Sequence, residues 1–181
     1  MALPPIAKAT LQAALISAGS NVVAQGITSY RDEIPFELDP QALYQFTTSA
    51  LILSPLTFLW LEGLESRFPS VDTQPPKTEK ENAKPKRNWR NTVTKIVVDQ
   101  VVGGAWNTVA FIATMGFLRG QDYEVIKGQI ENDFWGLFLA GLRLWPFVSI
   151  LNFTVVPADK RLLVGNVFGF AWAIYLSLMS A

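Results

Sequence analysis

The sequence predicts an all-α integral membrane bundle of four to five transmembrane helices, kinked at Pro55 and Pro146. Three observations carry this reading. Uncharged, mostly apolar runs recur along the chain, and the last, Leu162 to Ala181, is long enough to cross a hydrocarbon core of ~30 Å at ~1.5 Å per residue. Charges crowd into the short windows between those runs. The couplet Lys160–Arg161 stands directly before the last run, where long cationic side chains snorkel toward headgroups. Trp172 and Tyr175 lie near its far end, as amphipathic rings do at an interface.

Composition narrows the function. The 181 residues suit one domain, read here as a single integral membrane unit over 1–181. Half the chain is apolar, 17% is charged and mean hydropathy is +0.24. Fifteen cations balance fifteen acids, so no basic surface announces a nucleic-acid partner. The chain has no Cys and no His. Disulfides, thiolate catalysis, the commonest general base and the usual zinc ligands are therefore absent, and neither an enzyme nor a cofactor is expected. Neither a secretory n-region nor an Arg-rich presequence fits the N-terminus, where Lys8 is the one cation before Arg31.

The first run, Ile6 to about Ile27, follows Pro4–Pro5, a good helix start. Ser17, Asn21 and Gln25 make it only moderately apolar, and Ala14 and Ala18 permit close helix approach. An acidic loop with Pro35 and Pro40 leads into the second run, Pro40 to Leu61, which contains Pro55. Residues 66–91 read as a polar, disordered linker, rich in Pro, Lys, Glu and Asn. The third run, about Val93 to Leu118, places Gln100, Gly104, Asn107, Phe111 and Thr114 on one helical face, a polar seam that in lipid faces other helices or water. A polar connector over 119–133 precedes the fourth run, Phe134 to Val156, interrupted by Arg143 and Pro146. The fifth starts at Pro157 and includes Gly165-x-x-x-Gly169. If all five runs span, the N-terminus, the linker and the Lys160–Arg161 turn share one side, which the positive-inside rule assigns to the cytosol.

Read together, these segments resemble a known family. The tail Trp145-Pro146, Asn152-Phe153, Val156-Pro157, Arg161, then Trp172 with Tyr175-Leu176-Ser177, is similar to that of the Mpv-seventeen and twenty-two-kilodalton peroxisomal membrane protein family. Asp99–Gln100, Ala24–Gln25 and Pro55 match further family positions. Ser149 stands where the family has Gln, and Ala105 where it has Pro. Asn21, in place of Asp, is similar to the peroxisomal branch. The resemblance implies a small multi-span protein of the peroxisomal membrane or, alternatively, the mitochondrial inner membrane, acting as a pore for small solutes or metabolites.

The candidate pore-lining or interhelical polar residues are Asn21, Gln25, Asp99, Gln100, Asn107, Arg143, Asn152 and Asn166. Asp99 and Arg143, read as the charges within the spans, are expected to pair. The partners expected are the lipid bilayer, small solutes and a second copy of the chain. In the alternative reading, a non-conducting scaffold or sorting protein, the chain oligomerises through Gly165/Gly169 and Gly116/Gly120.

Overall fold

The computed structural model describes residues 3–71 and 87–179, with side chains through Trp172; Tyr175 and residues 72–86 of the expected linker lie outside the described side chains. The chain is all-α. Its helices are α1 (Pro5–Arg31), α2 (Pro40–Arg67), α3 (Trp89–Val98), α4 (Gly104–Leu118), α5 (Tyr123–Gly141), α6 (Trp145–Thr154) and α7 (Arg161–Met179). A π-turn, Asp99–Gly103, joins α3 to α4 in one 30-residue rod, and a 3₁₀ turn, Ala158–Lys160, leads into α7. Among the described residues no strand forms; Val71 and Arg87 make one isolated antiparallel bridge.

Among the described residues two helices are long and apolar enough to cross a membrane, Pro40–Arg67 and Trp89–Leu118. The pair α5 and α6 passes the same test together, bent by 55°. Burial points the same way, because many polar side chains lie inside the bundle while large apolar ones cover its outside. On α2 the buried residues include Gln45, Ser49 and Ser54, while Leu51, Ile52, Leu56 and Leu59 face outward. A helix in the core of a soluble protein would show the reverse pattern. Hydroxyls turned inward are satisfied locally: Ser20 donates to the Ile16 carbonyl at 2.7 Å and Thr57 to Leu53 at 3.0 Å. Ser17 instead donates across to the Phe46 carbonyl at 2.9 Å, tying α1 to α2.

Several ends are fixed by side chains. Asp39 caps α2, accepting from the amides of Gln41 and Ala42. Gln25 grips the backbone of Asp39 from both sides, its Oε1 accepting from the Asp39 amide at 2.7 Å and its Nε2 donating to the carbonyl at 3.2 Å. Asn88 caps α3 through the Asn91 amide. α2 continues through Pro55, whereas Pro146 sits in the first turn of α6, after the break at Arg143–Leu144. Pro there starts a new helix, since it needs no amide donor in a first turn. The connector over 119–133 is no separate segment: α5 begins at Tyr123 and runs straight into the fourth apolar run.

α1 packs mainly on α2 and α7, and α5 mainly on α4. The α4–α5 hairpin closes at Gly116 and Gly120. Gly120 has φ +69°, in the left-handed region that glycine tolerates, and ends α4. A Cβ on Gly116 would lie 2.7 Å from Ile126 Cγ1 and 2.9 Å from Gln121 Oε1. Gly116→Ala is therefore expected to destabilise the protein by about 1–3 kcal/mol through overpacking. Gly128→Ala on α5, where a Cβ meets nothing within 4 Å, should be neutral or slightly stabilising. Thermal unfolding in detergent, followed by circular dichroism, compares the two.

Candidate functional site

Between the helices of the bundle lies a partly open cavity of about 710 Å³. On α1 its wall runs from Ala13 to Ala24, on α2 from Phe46 to Leu61 and on α7 from Arg161 to Trp172. At ~1.5 Å per residue those stretches cover roughly 16 to 22 Å of depth, more than half of a ~30 Å hydrocarbon core.

Asp99 is the carboxylate on this wall. The π-turn holds it there, and such turns recur at functional sites because they rotate one face of a helix out of register. Its Oδ1 accepts from the Trp60 indole at 3.0 Å. Its Oδ2 accepts from the Ser149 hydroxyl at 2.7 Å and from the Gln100 amide at 3.4 Å. Three elements, α2, the π-turn and α6, thus meet on one side chain. Gly103 and Gly104 make the crowding possible: a Cβ on Gly103 would lie 2.8 Å from Trp60 Nε1, and one on Gly104 3.2 Å from Phe138. Among the described residues, three buried polar atoms on the wall have no hydrogen-bond partner: Trp106 Nε1, Asn166 Nδ2 and Asn152 Oδ1.

A second cluster closes the end where α2 stops, α3 starts and α7 begins. Glu65 Oε2 accepts from Lys95 Nζ at 2.6 Å and from Arg161 Nη1 at 2.5 Å. The same carboxylate takes the amide and hydroxyl of Ser70. Lys95 is wholly buried and Arg161 nearly so. Both cations lie over the Phe153 ring, 5.2 and 5.0 Å from its centroid. Arg161 Nε also donates to the carbonyls of Asn152 and Val156, and Asn152 Nδ2 returns a bond to the Arg161 carbonyl at 3.2 Å. α6 and α7 are thereby knotted to α2 and α3.

Comparison with known proteins decides the family. Residues 116–177 match the model of the Mpv17 / PMP22 family. PXMP2/4 family protein 3 of Dictyostelium discoideum is 30% identical over 176 residues, 97% of this chain and 84% of that protein. The chain belongs to the Mpv17/PMP22 family. Protein sym1 of Schizosaccharomyces pombe is 25% identical, across 98% of this chain and 85% of its own. The Mpv17-like protein of Bos taurus is 34% identical, across 72% and 57%. No solved structure matches the chain.

In this member of the Mpv17/PMP22 family the tail motif has a structural account. Asn152, Phe153, Val156 and Arg161 are the knot just described, and Pro157 turns the chain into it. Trp145 and Trp172 line the cavity, and Trp145 packs at Gly141 and Gly169. Ser149, a departure from the family pattern, is the shortest-distance donor to Asp99. Ala105 lies in the first turn of α4, directly after the π-turn.

The cavity brings together Asn21, Asp99, Gln100, Asn107, Asn152 and Asn166. Gln100, Gly104, Asn107 and Phe111 of the polar seam line it, and Thr114 does not. Gln25 lies outside the lining, engaged with Asp39 and Asn21. Arg143 is exposed in the turn between α5 and α6, and among the described residues no ion pair joins it to Asp99. That expectation fails because the break before Pro146 carries Arg143 outward while α6 presents Ser149 instead. Arg161 likewise does not snorkel: Glu65 holds it inside, and Lys160 alone is exposed. Glu65, Lys95 and Trp60 are the residues that sequence reasoning missed. Lys95 precedes Asp99 by four, one helical turn on the same face, and that spacing is the signal that was available.

Proposed function

We propose that this protein is a pore for small solutes in an organelle membrane, the peroxisomal membrane being the first assignment and the mitochondrial inner membrane the alternative. The observation that carries the reading is the cavity. A bundle with apolar residues outside keeps asparagines, hydroxyls and a carboxylate around a space of about 710 Å³ that follows the helix axes. Polar groups held in lipid face helices or a watery path. Here they face a space wide enough for a metabolite. The scaffold reading leans on two glycine pairs, of which Gly116 packs against Ile126 and Gly169 lies beside Trp145 within the chain, while Gly165 lines the cavity.

The test is solute efflux from liposomes holding the purified protein. Efflux graded by solute size is expected. Gly165→Trp places a large ring in the cavity at a position where a Cβ meets nothing within 4 Å, and should reduce efflux about tenfold or more by narrowing the path. Arg143→Gln, outside the cavity, should leave efflux unchanged. Tight liposomes around folded protein would defeat the pore reading in favour of the scaffold.

A further inference from the structure

We propose that the cavity contains a binding site for a small organic ammonium ion, with Asp99 as its counter-charge and the rings of Trp60, Trp106 and Phe138 as its walls. The inference deepens the pore reading by naming a class of solute, and rests on that reading for the ion's route to the site.

Charge carries it first. Glu65, Lys95 and Arg161 compensate one another at the end of the bundle. Asp99 differs from them. Its three partners, Trp60, Ser149 and Gln100, are neutral, and among the described residues no Lys or Arg forms an ion pair with it. Arg161 is the cation on the cavity wall, and Glu65 already engages it. A carboxylate in lipid is retained at a cost, and a cation completes it. What the fold leaves out, a ligand can bring.

Aromatic geometry then selects the kind of cation. Trp60 donates directly to Asp99, and Trp106 stands edge-on to Trp60 with centroids 6.2 Å apart. Phe138 reaches the same turn, as the close approach at Gly104 records. Rings and a carboxylate around one space suit a soft, weakly hydrated ammonium, which gains from ring faces, over a small hydrated metal ion that demands oxygen ligands. Among the described residues Trp106 Nε1 is buried without a partner, and would donate to an oxygen on the same ligand. A hydroxylated ammonium such as choline meets each of these features and serves as the probe.

Binding is read by calorimetry on the full chain in detergent. Choline should bind the wild-type protein about tenfold or more tightly than its uncharged analogue, in which carbon replaces the quaternary nitrogen. Asp99→Asn keeps an oxygen acceptor for Trp60, removes the charge and turns the oxygen that faces Ser149 and Gln100 into an amide donor, and should weaken choline binding by a similar factor. Equal binding of choline and its carbon analogue to the wild-type protein would overturn the site without reference to any variant. So would undiminished choline binding to a folded Asp99→Asn protein. Choline that binds but does not cross liposomes would uphold the site and sink the pore. General efflux with no choline binding would do the opposite.

Discussion

Glu65→Gln is expected to cost about 3–5 kcal/mol of stability, because it strips the counter-charge from two buried cations at once. Lys95 has no exposed surface and Arg161 almost none, so water reaches the cluster only from the side of Glu65, which is 26% exposed. The reverse change should be much milder. Lys95→Met keeps the volume of the alkyl stem and leaves Glu65 and Arg161 as a one-to-one pair, with a cost of about 1 kcal/mol or less. The double variant Glu65→Gln/Lys95→Met should recover part of the loss, since Arg161 still donates to the carbonyls of Asn152 and Val156. Unfolding in detergent, followed by circular dichroism, gives all three values. A Glu65→Gln protein as stable as the wild type would show that the cluster is a bystander.

Gly103→Leu should remove passage altogether, reducing efflux to that of protein-free liposomes, and destabilise the bundle by about 1–3 kcal/mol. The first added carbon already lies 2.8 Å from Trp60 Nε1 and 3.0 Å from Asp99 Oδ1. Because an indole is rigid and hydrogen-bonded here, it must swing away, breaking its bond to Asp99. The rest of the isobutyl group then occupies the cavity beside the π-turn. Gly103→Ala should lie between the two in both readouts. Gly63→Leu on α2, in open space and outside the cavity lining, is the control expected to keep wild-type efflux. Normal efflux through folded Gly103→Leu would place the path elsewhere.

How much of this was legible beforehand varies by segment. Uncharged runs and their Pro and Gly punctuation located most helices, since lipid imposes length and apolarity directly on sequence. The fourth run was legible in part: Pro146 signalled a break, but not that α5 would start eleven residues early within a polar connector. Asp99, Asn107 and Asn166 stood out because polar groups are conspicuous in apolar runs. Trp60 and Ser149 did not, since Trp and Ser are ordinary in such helices and nothing local marks what they touch. Glu65 and Lys95 stand on either side of a charged linker, and nothing local marks that they face each other.

By itself, then, the sequence determined that the chain is a helical membrane bundle of the Mpv17/PMP22 type, and which of its groups are costly to hold in lipid. Tertiary structure alone decided the partners. Glu65 meets Arg161 across 96 residues, Ser149 meets Asp99 across 50, and Arg143 is turned away. The physical reason is that insertion depends on each segment's own transfer from water, whereas pairing depends on helix rotation and depth, which the π-turn and the break before Pro146 reset.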